Sequence, residues 1–387
     1  MKIFLISRGV PTKEEPTWGN FELEQAKALK ELGNDVVVLS IDTRFRFFKR
    51  KFGISEVNYS GIPCFNLFVI PFIFLKPFTI RFINRIRTHL LHKVYKHAVA
   101  KHGEPDVIYS HYLYNTASCI KLSDIYKIPL VSIEHWSKLD TVPFSPSIRN
   151  LALDTYPKCS NIISVSRSLQ NNILQECGIN STVISNLVDA QHFSSLTDTK
   201  QTNHNNAIRF ISIGALIPRK NHIGLIKAFN NLSLHNDSWH LRIIGAGKQK
   251  DKIRKLIKKH NLDNNIELLG QKNKRDIMVE LNNSDVFVLN SNSETFGVVF
   301  IEALAAGLPV IGTKCGGPED IITPNNGILV DTNNQSQLIE AIEYMVANHL
   351  SYNNHAIAQE CRNRFSSTVI APKIDNILKQ SIKHYKH

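Results

Sequence analysis

Short apolar runs recur along this chain at the spacing of a strand, a helix and a strand again. Residues 2–7 form the first run, a polar loop follows over 8–17, residues 20–32 carry helical periodicity, and a β-rich run covers 36–40 after Gly33-Asn34. That order predicts a βαβ unit. Further runs of strand length at 107–110, 130–133, 162–165 and 183–185 alternate with helical or loop sequence, the pattern of a parallel sheet buried on both faces. Residues 1–193 are expected to form one doubly wound domain. Thr, Asn and Gln without apolar periodicity fill 194–206, which marks a linker. From 207 to 366 the alternation restarts, with runs at 208–213, 241–244, 266–269, 286–289, 309–312 and 327–330, so a second Rossmann-like domain is expected. The last segment, 367–387, repeats Val369, Ile370, Ile374, Ile377, Leu378 and Ile382 at helical spacing. With no further strand to serve, it is expected to cross back onto the first domain.

The fold class is therefore α/β, built from two Rossmann-like doubly wound domains. Parallel sheets bind ligands at the carboxyl ends of their strands, so the two sets of strand ends are expected to face a cleft, with functional residues in post-strand loops. A length of 387 residues suits two cores at ~100–200 residues per domain. The content of 43% hydrophobic and 20% charged residues is ordinary for a globular protein and argues against a disordered tail or a repeat array. The first apolar run is shorter than the ~7–15 residues of a signal-peptide core. The longest uncharged apolar stretch, 67–75, contains Pro71 and falls short of the ~20 residues of a membrane span. Cys64, Cys119, Cys159, Cys177, Cys315 and Cys361 lie far apart, without the paired spacing of a zinc or redox site. Together these features predict a cytoplasmic protein with free thiols.

Charge alters this picture in one region. The formal net charge is +13, and between Arg44 and Lys101 twelve Lys and Arg face a single acid, Glu56. The same stretch holds Phe45, Phe47, Phe48, Phe65, Phe68, Phe72, Phe74, Phe78 and Phe82. Cations interleaved with aromatics suit an anionic membrane surface, which predicts a peripheral seat on the inner face of the plasma membrane. The competing reading is an amphipathic helix over 80–100 that covers the sheet with its charges in water.

The most informative stretch for chemistry is 290–309, directly after the run at 286–289. It reads Asn290-Ser-Asn-Ser-Glu294-Thr-Phe296-Gly297-Val298, then continues through Glu302 to Gly307-Leu-Pro309. Here a strand turns into a helix, whose free N–H groups around Phe296 to Val298 and positive dipole end suit phosphate oxygens. Gly297 allows close approach of a ligand to the backbone. Glu302 lies about five residues into the helix, ~7 Å along its axis. With a diphosphate over the helix start, one carboxylate can accept from sugar hydroxyls and the other from ribose.

This stretch resembles the family 4 retaining glycosyltransferases of the GT-B fold, whose signature is two glutamates separated by seven residues, here Glu294 and Glu302. The resemblance extends to Phe210-Ile-Ser-Ile-Gly214 through Pro218-Arg219-Lys220-Asn221, to Ile244-Gly245-Ala-Gly247, to Gly316-Gly317-Pro318-Glu319 and to Ser185-Asn186-Leu-Val188-Asp189. It implies that Lys220, with Arg219, binds the donor diphosphate. Many relatives carry an arginine directly after the strand-ending glycine, where this chain has Ala215, so Arg219 is the candidate replacement. It also implies that Gly245 forms a tight turn near the nucleotide. Gly316-Gly317 follows the run at 309–312, where it either lets backbone approach the donor or forms a turn with no ligand.

In the first domain, the loop Thr17-Trp18-Gly19-Asn20 occupies the position that in relatives closes over donor phosphates and acceptor. Gly19 is placed with the donor, and Trp18 and Asn20 with the acceptor; Asn20 also suits a helix N-cap. His111 and Glu134-His135 follow strand-length runs and are expected to face the cleft. By resemblance, His135 lies beside the transferred sugar and stabilises positive charge at the anomeric carbon. The resemblance implies a front-face mechanism with His135, Glu294 and Lys220 as catalytic residues. No Asp-x-Asp motif follows a strand, so no metal and no cofactor are expected. The substrates implied are a nucleotide diphosphate sugar, with uridine diphosphate the commoner nucleotide, and a saccharide or lipid-linked saccharide acceptor in cell-surface polysaccharide or glycolipid synthesis. Two rival classes remain at this point: a non-hydrolysing sugar-nucleotide epimerase of the same fold, against which the paired glutamates argue, and a basic nucleic-acid-binding module, for which no motif accompanies the charge.

Overall fold

The computed structural model describes residues 1–11, 18–42, 52–69, 80–189, 207–232 and 238–385. The linker over 194–206, Thr17, and Phe45, Phe47, Phe48, Phe72, Phe74 and Phe78 of the basic stretch lie outside the described residues. Two compact units emerge, Met1–Leu187 with Ser367–His387, and Val188–Ser366.

The first unit is a sheet of eight strands: β1 (Lys2–Ser7), β2 (Asp35–Asp42), β3 (Gly53–Tyr59), β4 (Ile62–Phe68), β5 (Val107–His111), β6 (Leu130–Glu134), β7 (Asn161–Ser164) and β8 (Thr182–Val183). Their order is β3-β4-β2-β1-β5-β6-β7-β8, and only the β3–β4 pair is antiparallel. Central strands such as β5 and β6 are buried along their whole length, as parallel strands covered on both faces must be. The covering helices are α1 (Asn20–Glu31), α2 (Ile80–His102), α3 (Leu113–Tyr126), α4 (Pro146–Thr155) and α5 (Arg167–Cys177).

The hairpin β3–β4 is absent from the sequence expectation. Its turn is Ser60-Gly61, both at positive φ (51° and 78°), the conformation that two-residue hairpins require. Phe65 and Phe68 are buried and are therefore core of this sheet edge, not membrane contacts. Arg87 is likewise turned inward, with Nη2 donating to Asn115 Oδ1 at 2.5 Å. The sheet-covering reading of α2 holds for Leu91, Val94, Tyr95 and Ala98, which pack in the core beside Phe4 and Phe65.

The second unit is an all-parallel sheet, β11-β10-β9-β12-β13-β14, made of β9 (Ile208–Ile213), β10 (Trp239–Ile244), β11 (Ile266–Gly270), β12 (Val286–Leu289), β13 (Val310–Lys314) and β14 (Gly327–Asp331). Its helices are α6 (His222–Asn230), α7 (Lys250–Lys259), α8 (Lys274–Asn282), α9 (Val298–Ala305), α10 (Gln335–Asn348) and α11 (Asn354–Phe365). Phe210, Phe229 and Trp239 anchor its core. Val188 joins this unit rather than the first: its N–H donates to Phe365 O at 2.9 Å, and it bridges Ser366 in parallel. The final helix α12 (Ser367–Tyr385) lies in the first unit, where Asp375 Oδ1 accepts from Asn34 Nδ2 at 2.7 Å. The strand order turns from descending to ascending between β1 and β5 in the first sheet and between β9 and β12 in the second. Such switch points open crevices at the strand carboxyl ends.

Candidate functional site

In the second unit, residues 214–220 follow β9 and 290–297 follow β12, on either side of the switch point. Pro218–Lys220 forms a single 3-10 turn, stopped by Asn221 at φ 48°, whose side chain caps α6 by accepting from Gly224 N at 3.2 Å. The turn directs Arg219 and Lys220 toward the loop after β12 rather than into solvent. Lys220 Nζ donates to Glu294 Oε1, and Ser291 Oγ donates to the same oxygen at 2.6 Å. Arg219 Nη1 stands 3.8 Å from Glu294 Oε2 and donates to Ser293 O at 2.9 Å. The Lys220 side chain is 12% exposed and that of Glu294 5%, so the pair sits in a nearly dry setting where charge-assisted hydrogen bonds are strong. Thr313 Oγ1 donates to Ser291 O at 2.5 Å and braces the same loop. Ser291 is the partner that sequence reasoning missed, although it lies three residues before Glu294.

The loop then enters α9 through Gly297 at φ 92°, a conformation that favours glycine. Val298 is the first helical residue, and first-turn N–H groups have no acceptor within a helix. Phe296 is buried with its ring 6.0 Å from that of Phe365, so its side chain anchors the loop and only its backbone is placed for a ligand. Glu302 is half-buried in the fifth position of α9. A second loop, after β13, locks onto this one: Glu294 N donates to Cys315 O at 3.1 Å and Gly317 N to Glu294 O at 2.8 Å. Gly245, expected to form a tight turn near a nucleotide, lies against the loop after β9. It sits at φ 152°, and a Cβ there would lie 1.9 Å from Gly214 O. The close approach is between the loops after β9 and β10.

In the first unit, Arg8, His111 and His135 stand at the ends of β1, β5 and β6. The two imidazoles are parallel, 2° apart in plane, with His111 Nδ1 and His135 Nε2 3.2 Å apart. His135 is half-buried; burial above all, and then the charge of Arg8, push its pKa down to about 3, with Asn186 working in the opposite direction. The ring is thus neutral near pH 7, which suits a group beside developing positive charge better than an imidazolium would. His111 is fully buried behind it, and burial holds its pKa well below the usual histidine range.

Two expectations are corrected here. Glu134 does not line a cleft. It is fully buried, accepting from Leu113 N at 3.1 Å and Ser132 Oγ at 3.0 Å, so it caps the start of α3; burial raises its pKa to about 8. Asn20 is not an N-cap: it is the first residue of α1, and Gly19 at φ 82° precedes it as the cap. Gly19 itself is needed because a Cβ would fall 2.2 Å from Gly9 O. Trp18 packs on Gly9 and donates from Nε1 to Arg8 O at 3.3 Å. The residues overlooked in this unit are Arg8, Glu22 and Tyr112. Arg8 was findable, because it follows a strand just as His135 does.

Residues 20–192 match the family described as Glycosyltransferase Family 4, and residues 195–364 match the family described as Glycosyl transferases group 1. The uncharacterized glycosyltransferase MJ1178 of Methanocaldococcus jannaschii is 29% identical over 262 residues, 66% of this chain and 70% of its own. The putative teichuronic acid biosynthesis glycosyltransferase TuaC of Bacillus subtilis is 25% identical over 359 residues, 88% of each chain. Among solved structures, Anabaena Alr3699/HepE in complex with UDP and glucose is similar at a TM-score of 0.73 and 21% identity, with 98% of this chain and 99% of that one covered.

Proposed function

This chain belongs to glycosyltransferase family 4 and has the GT-B fold, and from that premise we propose that it transfers a sugar, with retention of configuration, from a uridine diphosphate sugar to a saccharide or lipid-linked saccharide in cell-surface polysaccharide or glycolipid synthesis. The observation that carries this reading is the nearly buried Glu294 carboxylate, held by Lys220 and Ser291 beside the start of α9. The complex of HepE with UDP and glucose supports the donor class, and the name of TuaC supports the polymer context.

In the reaction, the bond from the anomeric carbon to the leaving phosphate oxygen breaks and a bond to the acceptor oxygen forms on the same face. The acceptor proton passes to the departing phosphate. Lys220, Arg219 and the positive end of α9 hold the growing phosphate charge, which removes the need for a divalent ion. Glu294 then accepts hydroxyls of the transferred sugar and Glu302 those of the ribose. His135 offers a neutral ring and its backbone carbonyl to the anomeric carbon. The test is a thermal-shift panel of nucleotide sugars with chelator present, followed by NMR of the product anomer. A uridine diphosphate sugar at 100 times its Kd should stabilise the fold by about 2.7 kcal/mol, and transfer should persist with chelator. No stabilising nucleotide sugar would sink the reading; an inverted product would sink retention.

The first domain is assigned a peripheral seat on an anionic bilayer. Among the described residues no helix is long and apolar enough to cross a membrane. Helix α2 has no acid and exposes Arg85, Lys93 and Lys96, while Phe52, Val57, Phe82 and Ile83 are exposed in the same unit. At ~1 kcal/mol per cation near an anionic surface, changing Arg85, Lys93 and Lys96 together to Gln should weaken binding to phosphatidylglycerol vesicles ~100-fold. Cosedimentation checks this, and equal binding to neutral vesicles would count against it.

A further inference from the structure

The Arg8 guanidinium is built into the strand ends of the first domain by an unusual set of neighbours. Its Nε lies 3.1 Å from Glu22 Oε1, and the Glu22 side chain is 0% exposed while that of Arg8 is 22% exposed. The rings of Trp18, Phe21 and Tyr112 stand 4.7, 5.9 and 5.4 Å from the guanidinium carbon. Tyr112 reaches that position from φ 71°, backbone that a bulky residue adopts only when the surroundings impose it. The same ring lies 5.4 Å from that of His135. Glu22 Oε2 and His111 Nε2 are buried and find no hydrogen-bond partner among the described residues. Strain and unsatisfied polar atoms gathered at strand ends mark a functional place rather than a packing solution.

What this arrangement presents outward is the far edge of the guanidinium. Glu22 lies on the Nε side as an ion pair at 3.1 Å, and 22% of the Arg8 side chain stays exposed. That edge is a planar two-pronged donor matched to a carboxylate or phosphate. Its distance from neutrality is set by Glu22, which compensates the charge at rest, while the aromatic rings fix the fork's direction.

We propose that Arg8 reads an anionic group on the acceptor, a carboxylate or phosphate carried near the hydroxyl that is glycosylated. This rests on the transferase reading above and names the acceptor's class: an acidic sugar or a phosphorylated carrier, not a neutral glycan. His111, stacked behind His135, completes the cage and holds His135 in register with the same fork.

The experiment is calorimetric titration of the full chain, saturated with UDP, against glucuronate, inorganic phosphate and neutral glucose at constant ionic strength. At least one anion should bind at least tenfold more tightly than glucose, and the stronger of the two identifies carboxylate or phosphate as the source. Arg8→Gln should weaken that anion at least tenfold while UDP affinity stays within twofold, and Arg8→Lys should recover part of the loss. Because Arg8→Gln strands the Glu22 charge, the double variant Arg8→Gln/Glu22→Gln is measured beside it and should show the same loss. Anion binding by the double variant equal to that of the parent would overturn the proposal, as would loss of UDP affinity in step with the anion, which would place Arg8 on the donor diphosphate. Failure of the parent to bind UDP would instead strike the transferase reading itself.

Discussion

Replacing Lys220 with Ala should lower kcat by about 100- to 1,000-fold, the usual consequence of removing one preorganised donor from a developing oxyanion. Lys220 Nζ is bonded to Glu294 Oε1, and both side chains are nearly buried. Removing one partner of a buried pair strands the other charge, at about 3–5 kcal/mol. Arg219 at 3.8 Å from Oε2 and Ser291 at 2.6 Å from Oε1 remain, so the loss should fall near the low end, about 3 kcal/mol. For a unit of this size that is a fall in Tm of about 6–12 °C. Adding Glu294→Gln to Lys220→Ala removes the stranded charge and should restore most of the stability without restoring turnover. Because Glu294 is itself assigned to the transferred sugar, the double variant reports on stability alone, and the turnover of Lys220→Ala carries the test of the lysine. Steady-state kinetics and differential scanning calorimetry on the three proteins suffice, and turnover within twofold of the parent in Lys220→Ala would refute the assignment.

The alternation of apolar runs made both sheets legible before any coordinates, because a parallel strand buried on both faces writes a continuous apolar signal. The hairpin β3–β4 carried a signal too, Ser60-Gly61 between alternating strands, but the surrounding Phe and basic residues invited a membrane reading. Phe65 shows why composition misled: an aromatic in a strand and an aromatic at a lipid interface look alike until the neighbours are known. At the site, Lys220 and Glu294 were legible because each follows a strand of one sheet. Glu134 was misplaced for a related reason. Consecutive residues of a strand point to opposite faces, and Glu134 and His135 are consecutive, so only one of them could serve the strand-end site. The Arg8–Glu22 pair was hidden more deeply. In α1 the buried face includes Glu22, Gln25 and Leu29, so polar residues occupy core positions and periodicity carries no warning of it.

Replacing Gly317 with Ala should disable donor binding through the backbone alone, and it is the sharper test of how this site is held. A Cβ on Gly317 would lie 2.2 Å from Phe296 Cα, 2.3 Å from its O and 2.5 Å from its C. None of these atoms is the end of a flexible side chain, so the loop after β13 must back away from the loop after β12. Retreat breaks the bonds Gly317 N to Glu294 O at 2.8 Å and Glu294 N to Cys315 O at 3.1 Å, which are what present the Glu294 carboxylate. Overpacking of this kind costs about 1–3 kcal/mol and occasionally more, and a shift of ~1 Å at a positioning group lowers turnover ~100-fold. UDP affinity by calorimetry should fall at least tenfold together with Tm. Gly33→Ala is the control: its side chain is strained by a φ of 86° but meets nothing within 4 Å, so it should lower stability by only ~1–2 kcal/mol and leave UDP affinity unchanged. Should Gly317→Ala fail to fold, Glu319→Gln offers a gentler push on the same loop. The Glu319 carboxylate accepts from Cys315 N at 3.2 Å and Gly316 N at 3.0 Å, and a neutral amide there should reduce UDP affinity severalfold. Parent-like UDP affinity in a folded Gly317→Ala would mean that the two loops do not jointly position Glu294, and the account of donor recognition given above would not stand.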